Sequence, residues 1–531
     1  MPARAKLIVF RALDLLASVC SIASVLLLVL PDIDVPVAGG FVRLAGPRNQ
    51  FLVALWCVIA MRSLVPSKRP WIFSVADRIA ASVGSGRATV LFLIAAGWLL
   101  SLVFYGRGAV IEGDGAYYYA FLRSSLMDRD LNFRNELGYY ASQSDSVSDC
   151  EVNGATGLVS NPFSIGPAIL WSPFFLIGHG YAWTTGAAVD GYSAPYEAAV
   201  ILGTQVYAAL GILLTMGVVR RVVGAHAPLW SVLGLWLASP LVEYFRFAAS
   251  MSHAHSVFAV SLFLYLYVKV ESDQRPRDWI ALGIAGGLVF LVRWQDATFC
   301  LLPLVALFRG KRLRDAVADG YLYAGSFFLV ALPQLMVFKV LYGGWVTVPQ
   351  GSGFVGILPR YIWHVLFSTN HGLLTWHPVF VLCLGGLAWG AARRLRQHRL
   401  LLVGLLLQLY VNASITQWWA GHSFGARRFL GCFALFAVGI ATTMNWRALQ
   451  GRRGHAVIFA LCVLNYALWQ TWKSGLLPPE GLVSISEFVG AVLGGATSIG
   501  AKTAATIVGI GLLALGDGPT RQQGWRNEEL Q

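Results

Sequence analysis

The sequence predicts an all-α, polytopic membrane protein, and its composition and hydropathy pattern carry that prediction. The chain of 531 residues is 56% hydrophobic and only 12% charged, whereas soluble domains usually carry about 25% charged residues. Its apolar residues form continuous runs of roughly 17–25 residues, the length that crosses a bilayer as a helix. The runs do not alternate apolar and polar residues, so a membrane β-barrel is not expected.

The basic character of the chain reflects membrane topology. The formal net charge is +14, and Lys and Arg gather in short loops between apolar runs, as they do in cytoplasmic loops of membrane proteins. We therefore expect membrane lipids as partners and no nucleic acid. The seven cysteines are scattered and show neither a disulfide framework nor a zinc spacing.

Alternation of apolar runs with basic loops predicts about fourteen transmembrane helices, in a range of roughly 11–14, with both chain ends in the cytoplasm. The predicted spans are 8–30, 50–61, 88–105, 196–219, 229–247, 252–270, 279–292, 297–308, 321–342, three spans that end at 393–399, 417–428 and 447–453, one that ends near Lys473, and 501–515. The proline-rich, aromatic segment 161–183 is predicted to be an interfacial or re-entrant helix of a large outer loop.

This topology divides the chain into three parts. Residues 1–87 hold two extra N-terminal helices and a cytoplasmic loop. Residues 88–446 form the transmembrane core, with outer loops at 106–195 and 343–378. Residues 447–531 hold the C-terminal helices and a cytoplasmic tail.

An acidic loop follows the third predicted span. The segment 107–162 holds eight of the 26 acidic residues of the chain: Glu112, Asp114, Asp128, Asp130, Glu136, Asp145, Asp149 and Glu151. Polar groups at membrane depth are costly and tend to mark function. The topology puts this loop on the same face as the turn 243–255, the turn 293–296 and the segment 417–428, so we expect a site there.

Asp114 is the candidate catalytic base of this site. It lies between Gly113 and Gly115, just beyond a predicted span. A carboxylate in this position could cap the following helix, or it could deprotonate an acceptor hydroxyl; the topology favours the second role. Glu112 is the alternative base, or an acid that supports Asp114.

A second acidic pattern, Asp128-Arg129-Asp130, has the D-x-D form that can share a divalent cation. The pattern is short, and a solvated turn is the preferred interpretation. No metal or other cofactor is therefore expected.

Three arginines on the predicted outer face are candidates for binding a phosphate. Arg293 ends a span and could equally anchor it at the interface. Arg427 and Arg428 are an adjacent pair on the side where the positive-inside rule disfavours them, so an anionic partner is expected. His253 and His255 should point to different faces of a helix, which favours structural polar contacts over a shared metal.

Further side chains on this face are candidates for substrate binding: Tyr117, Tyr118, Arg123, His371, Trp418 and His422. The tyrosines could stack on a sugar ring or pack at the interface. The histidines are open to either a structural or a binding role.

The chain resembles the GT-C superfamily, the polytopic glycosyltransferases that include protein O-mannosyltransferases and aminoarabinose transferases. The resemblance rests on Glu112-Gly113-Asp114-Gly115 just after a span, on the proline-bearing segment from Asn161 to Pro173, and on Ser423-Phe424-Gly425-x-Arg427-Arg428. It covers roughly residues 103–446. The sequence departs from the family in its two extra N-terminal spans and in having Glu-Gly-Asp where an adjacent Asp-Glu pair is usual, which leaves open which acid is the base.

The resemblance implies an inverting, metal-independent transfer of a hexose or pentose from a polyprenyl-phosphate donor to a hydroxyl of a glycan, lipid or protein. It implies a bacterial inner membrane with the active site facing the periplasm. Two alternatives remain at this point. A transporter or flippase of lipid-linked saccharides would place charges at mid-membrane depth, and a non-catalytic envelope scaffold would not depend on Asp114.

Overall fold

The computed structural model describes residues 3–26, 32–37, 40–45, 47–65, 68, 70–71, 111–144, 147, 151–224, 229–309, 312–351 and 353–497. The predicted spans 88–105 and 501–515 lie outside these residues, as do Asp145 and Asp149. The described part divides into two compact units. The first unit takes its described residues from 1–107, 445–467 and 494–531, and the second comprises 108–444 and 468–493.

The described residues are predominantly helical, as the predicted fold class requires. The exception is one antiparallel hairpin, β1 (Asp32–Val37) with β2 (Gly40–Ala45). The helices of the N-terminal half are α1 (Ala3–Leu26), α2 (Pro47–Leu64), α3 (Asp114–Arg123), α4 (Arg134–Ala141), α5 (Gly166–Thr185), α6 (Ala194–Val223), α7 (Leu229–Leu237), α8 (Leu241–Arg246), α9 (His253–Asp273) and α10 (Pro276–Val292).

The C-terminal half continues the helical pattern. Its helices are α11 (Pro303–Leu307), α12 (Leu313–Tyr342), α13 (Ile362–Phe367), α14 (Leu373–Trp376), α15 (Val379–Ala392), α16 (Arg396–Ser414), α17 (Phe433–Met444), α18 (Arg452–Lys473) and α19 (Ile485–Thr497). A π-helical segment (Ser124–Asp128) continues α3, and 3₁₀ segments occupy Trp294–Leu301 and Arg427–Cys432.

Four described helical segments are long and apolar enough to cross a membrane: Ala194–Val223, His253–Asp273, Leu313–Tyr342 and Arg427–Met444. Shorter apolar helices lie at Leu52–Leu64, Trp294–Leu307, Val379–Ala392 and Ile485–Gly495. These findings agree with a membrane protein, whereas the count of about fourteen spans and the three-part division stay predictions.

Two predicted spans are not single continuous helices, while the predicted topology itself stays a prediction. The predicted span 229–247 consists of α7 and α8, separated at Ser239 and Pro240. Pro240 has no N–H to continue the ladder of α7, and the Leu241 N–H is satisfied by Ser239 Oγ at 3.4 Å. The predicted span 297–308 is a 3₁₀ segment followed by the short α11, which begins at Pro303.

Each unit has its own core. In the first unit, α1 packs on α2 through five buried residues: Phe10, Ala17, Cys57, Val58 and Met61. In the second unit, aromatic side chains of the acidic loop and of α5 and α6 form a core that includes Tyr119, Phe121, Phe133, Trp171 and Tyr196. This core fixes α3 against the transmembrane helices and so sets the position of its first residue, Asp114.

Candidate functional site

Two glycines seat Asp114 at the start of α3. The helix begins at Asp114, and Gly113 occupies the N-cap position with φ of 54°, a left-handed conformation that glycine adopts without strain. A Cβ at Gly115 would overlap the side chain of Ser250, so the start of α3 lies directly on the turn 247–252. Gly113, and not Asp114, therefore occupies the cap position that the sequence had offered Asp114.

The Asp114 carboxylate forms an ion pair with Arg427. The distance from Asp114 Oδ2 to Arg427 Nη1 is 3.0 Å, and the Asp114 side chain is 30% exposed. Arg427 also donates to the carbonyl oxygen of Ala420 at 2.7 Å and lies 3.0 Å from Met251 Sδ. A pair far apart in sequence thus forms the centre of the candidate site.

Arg293 reaches the same region from the end of α10. Its Nη1 lies 3.3 Å from Ser252 Oγ and 2.9 Å from His253 Nδ1, and its Nε lies 4.0 Å from Asp296 Oδ2. Asp296 accepts a hydrogen bond from Ser256. Arg293 is therefore held by groups from α9 and from its own turn.

Tyr118 joins α3 to these groups. Its hydroxyl shares a hydrogen bond of 2.8 Å with Ser252 Oγ, the same oxygen that Arg293 contacts. Burial raises the pKa of Tyr118 to about 12, so the phenol stays protonated at neutral pH. It can serve as a neutral hydrogen-bonding group beside the charged ones.

Arg428 completes the arginine cluster, which we define as Arg293, Arg427 and Arg428. Its Nη1 donates to the Gln417 carbonyl oxygen at 2.7 Å, and it interacts electrostatically with Arg427, Arg293 and Asp114. Among the described residues, Asp114 and Asp296 are the carboxylates paired with this cluster. Three guanidinium groups against two carboxylates leave an excess of positive charge, which suits an anionic ligand.

Arg427 and Arg428 begin the 3₁₀ segment Arg427–Cys432. We call residues 416–428, which comprise the preceding loop and these two arginines, the late loop. The Phe424 N–H donates to the Tyr244 hydroxyl at 3.1 Å. Glu480 accepts from Trp419 Nε1 at 2.5 Å and pairs with His422 Nε2 at 2.7 Å. The loop is thus tied to α8 on one side and to the segment after α18 on the other.

His371 contacts the backbone of the late loop. Its Nδ1 lies 2.9 Å from the Trp419 carbonyl oxygen, and its buried Nε2 has no hydrogen-bond partner among the described residues. Burial lowers the pKa of His371 to about 4, so the imidazole is neutral at physiological pH. This environment gives His371 a structural contact with the loop.

The structure places Arg123 in the acidic loop, apart from the arginine cluster. Its Nη1 lies 2.6 Å from Asp128 Oδ2 and 2.7 Å from Glu136 Oε1, and its guanidinium stacks 4.0 Å above the Tyr192 ring. These contacts give Arg123 a structural role in the acidic loop, and its proposed contact with substrate stays a prediction.

The same network engages the D-x-D carboxylates. Asp128 pairs with Arg123, and Asp130 Oδ1 accepts from Ser124 Oγ at 2.7 Å and from the Asn132 N–H at 3.1 Å. Within the described part of the chain, no group of three or more His, Cys, Asp or Glu side chains could hold a metal ion. These contacts explain the two aspartates as loop-stabilising residues.

No contact with Asp114 is described for the remaining candidates, which have other neighbours. Glu112 is exposed, and its backbone N–H lies 3.5 Å from Ser250 Oγ. The Tyr117 ring packs 5.1 Å from that of Phe163, and the half-buried Trp418 packs beside Tyr361, with ring centroids 6.5 Å apart.

Three groups at the site were not singled out from the sequence. Ser252 links Tyr118 to Arg293, Tyr244 holds the late loop, and Met251 contacts Arg427. All three belong to α8 or to the turn after it, where the sequence analysis noted a polar cluster. His253 and His255 point to different faces as expected: His253 contacts Arg293, and His255 packs between Trp171 and Tyr207.

The fold and the site together define a helical membrane protein with a carboxylate set among arginines. Residues 181–337 match the family model of the dolichyl-phosphate-mannose-protein mannosyltransferases, and over this segment the resemblance to GT-C glycosyltransferases is confirmed. The matched segment contains Tyr244, Ser252 and Arg293, whereas Asp114 and the late loop lie outside it. None of the curated proteins matches the chain. The family match implies a membrane glycosyltransferase.

Proposed function

We propose that the protein is an inverting glycosyltransferase that moves a sugar from a polyprenyl-phosphate donor to a hydroxyl acceptor. The observation that carries the proposal is the Asp114–Arg427 ion pair of 3.0 Å within a cluster of three arginines. A reaction of this class needs a carboxylate to accept a proton and cations to hold the departing phosphate. The site supplies both groups.

In the proposed step, the acceptor oxygen attacks the anomeric carbon of the donor while its proton passes to the Asp114 carboxylate. The bond between the anomeric carbon and the phosphate oxygen breaks, and its electron pair leaves with the polyprenyl phosphate. The leaving group departs as an anion and gains one negative charge, so the step requires cations and no general acid. Glu112, exposed near the start of α3, is the alternative base.

The three arginines have different surroundings, which predicts different tasks. Arg427 is paired with Asp114 and positions this carboxylate. Arg293 is shared between His253, Ser252 and the more distant Asp296. Arg428 donates only to a neutral carbonyl group among the contacts described for it. We assign Arg428 and Arg293 the main share of phosphate binding, because a phosphate competes more easily with neutral partners than with a carboxylate.

Orientation and partners complete the proposal. The lipid tail of the donor lies between transmembrane helices, and the acceptor is a glycan, lipid or protein hydroxyl. We place the site on the periplasmic face of a bacterial inner membrane, which is supported by the basic loops predicted on the other side. Trp418, Tyr117 and His422 are proposed to border the acceptor path.

Release of polyprenyl phosphate tests the proposal. The purified protein, given a polyprenyl-phosphate hexose or pentose and a hydroxyl acceptor, should release free polyprenyl phosphate together with the glycosylated acceptor. In sealed vesicles, movement of an intact lipid-linked sugar between leaflets without cleavage would instead show that the protein is a transporter. If the protein neither cleaves nor moves donors of both sugar classes, the enzyme assignment is rejected.

A further inference from the structure

A buried carboxylate in α8 is held by the last turn of α18. Glu243 Oε1 lies 2.7 Å from Lys473 Nζ, and Glu243 Oε2 accepts from Trp469 Nε1 at 2.6 Å. The Glu243 side chain is 3% exposed and that of Lys473 is 25% exposed. The ammonium group also lies 4.6 Å from the centre of the Trp472 ring. The contact joins residues 230 positions apart in sequence.

The segment that Glu243 anchors contacts α3, Arg293 and the late loop. Tyr244, the next residue, accepts the Phe424 N–H of the late loop. In the turn that follows, Ser250 meets the start of α3 at Gly115, and Ser252 joins Tyr118 to Arg293. Residues 241–253, which we call the hub segment, are therefore the common support of the carboxylate and the arginines.

The contact of Glu243 with Lys473 and Trp469, which we call the anchor, consists of directional polar interactions. A buried carboxylate requires a charged or hydrogen-bonding partner, and its geometry is more restricted than that of an apolar contact. Lys473 and Trp469 approach the two oxygens of Glu243 separately, so rotation or sliding of α8 would break at least one of these bonds. An apolar contact would tolerate such a movement.

We propose that Lys473 and Glu243 are positioning residues that hold the hub segment, and through it the late loop, in the arrangement required for transfer. The link to transfer rests on the proposed function, whereas the link to the late loop does not. Glu243 lies within the segment that matches the family model, whereas Lys473 lies beyond it.

The variants are chosen so that no buried charge is left unpaired. The double variant Glu243→Gln/Lys473→Met removes both charges, while the amide can still accept from Trp469. The matched control is Asp278→Asn/Lys269→Met. Lys269 Nζ lies 2.8 Å from Asp278 Oδ1, close to the 2.7 Å of the Lys473–Glu243 pair, and the Asp278 side chain is 5% exposed. A general effect of losing an ion pair would appear in both double variants.

Hydrogen–deuterium exchange of the full-length protein in detergent tests the positioning without any substrate. We expect exchange in peptides covering 241–253 and 416–428 to quicken by about three- to tenfold in the Glu243→Gln/Lys473→Met variant, which is the effect of weakening one hydrogen bond. Exchange in α12 should not change, and the control should leave both segments unchanged. Unchanged exchange in both segments, or the same acceleration throughout the chain, would overturn the proposal.

Transfer assays supply the second readout. We expect kcat/KM of the Glu243→Gln/Lys473→Met variant to fall by about the same factor as its exchange rises, and the charge-reversed variant Glu243→Lys/Lys473→Glu to recover part of it. Full transfer activity in a variant whose hydrogen–deuterium exchange is faster would refute the link to transfer. If no variant or wild-type preparation shows transfer while the exchange result holds, the proposed function fails and the positioning stands.

Discussion

Arg427 and Arg428 are adjacent in sequence but differ in what they contact, and this difference predicts different kinetic defects. Arg427→Gln leaves Asp114 without its cationic partner, so this variant should lower kcat more than it raises the KM for the donor. Arg428→Gln removes a phosphate ligand, so the KM for the donor should rise, with a loss in kcat/KM of about 10- to 100-fold for a charge-assisted hydrogen bond of typical strength. Steady-state kinetics with varied donor checks this, and equal changes in KM and kcat for both variants would contradict the division of roles.

His371 predicts an acid-sensitive fold. Its pKa is lowered from about 6.5 in the unfolded chain to about 4 by burial, so the neutral imidazole stabilises the fold above pH 6.5, and this stabilisation is lost as the pH falls from 6.5 towards 4. His371→Asn, which tolerates the φ of 61° at this position, should flatten the decrease in melting temperature over this range. A parallel decrease in wild type and variant would show that His371 is not the titrating group.

Asp114 illustrates what the sequence could reveal at this scale. Its position between two glycines after a span, and the arginine pair on a side where arginines are disfavoured, both pointed to the residues that the structure brings together. The sequence could not reveal Ser252 or Tyr244, because their importance comes from contacts with Arg293 and Phe424 that local patterns do not encode. The partners of Arg123, Asp128 and Glu136, could not be recognised from the sequence either, because only the folded acidic loop brings them together.

At the scale of the element, the seating of α3 on the turn 247–252 depends on Gly115. Gly115→Ala should force the helix start away from Ser250 and lower transfer by at least tenfold, the change expected when a catalytic group is displaced by about 1 Å. The combined change Gly115→Ala/Ser250→Gly should recover part of the activity, since it removes the overlapping side chain and leaves only the Ser250 backbone carbon, 3.1 Å from the new Cβ.

The matched control for the Gly115→Ala change in α3 is Gly138→Ala in α4. A Cβ at Gly138 meets no atom within 4 Å, and alanine favours a helix interior over glycine by about 0.5–1 kcal/mol. This variant should keep full transfer activity and melt at the same or a slightly higher temperature. A Gly115→Ala protein as active as the Gly138→Ala protein would contradict the close seating of α3.

The acidic loop is the second element with a testable role. Asp128→Asn should weaken the contact with Arg123 and lower the melting temperature, while kcat at saturating donor stays close to wild type and a chelator has no effect. This assay decides whether transfer is independent of a metal, as the sequence predicts. Activity that is abolished by chelation, and restored by a divalent ion only when Asp128 is intact, would revive the D-x-D metal site.

At the scale of the whole molecule, hydropathy predicted the helical membrane class well, because burial in lipid imposes long apolar helices. It predicted individual spans less well. Pro240 and Pro303 interrupt the helix in two mainly apolar segments. Hydropathy cannot detect such an interruption, because it does not depend on the backbone hydrogen bonds that proline removes. The anchor of Glu243 by Lys473 also escaped sequence analysis, since the two charges are 230 residues apart and belong to segments with separate local patterns.

The central claim is that Asp114 is the base, and the most direct measurement is transfer by purified Asp114→Asn protein beside Glu112→Gln protein at matched expression and melting temperature. The account predicts that Asp114→Asn lowers kcat by roughly 10²–10⁴-fold, the range for removal of a general base, while Glu112→Gln retains most of the wild-type rate. Full transfer by Asp114→Asn protein, or loss of transfer confined to Glu112→Gln protein, would contradict it.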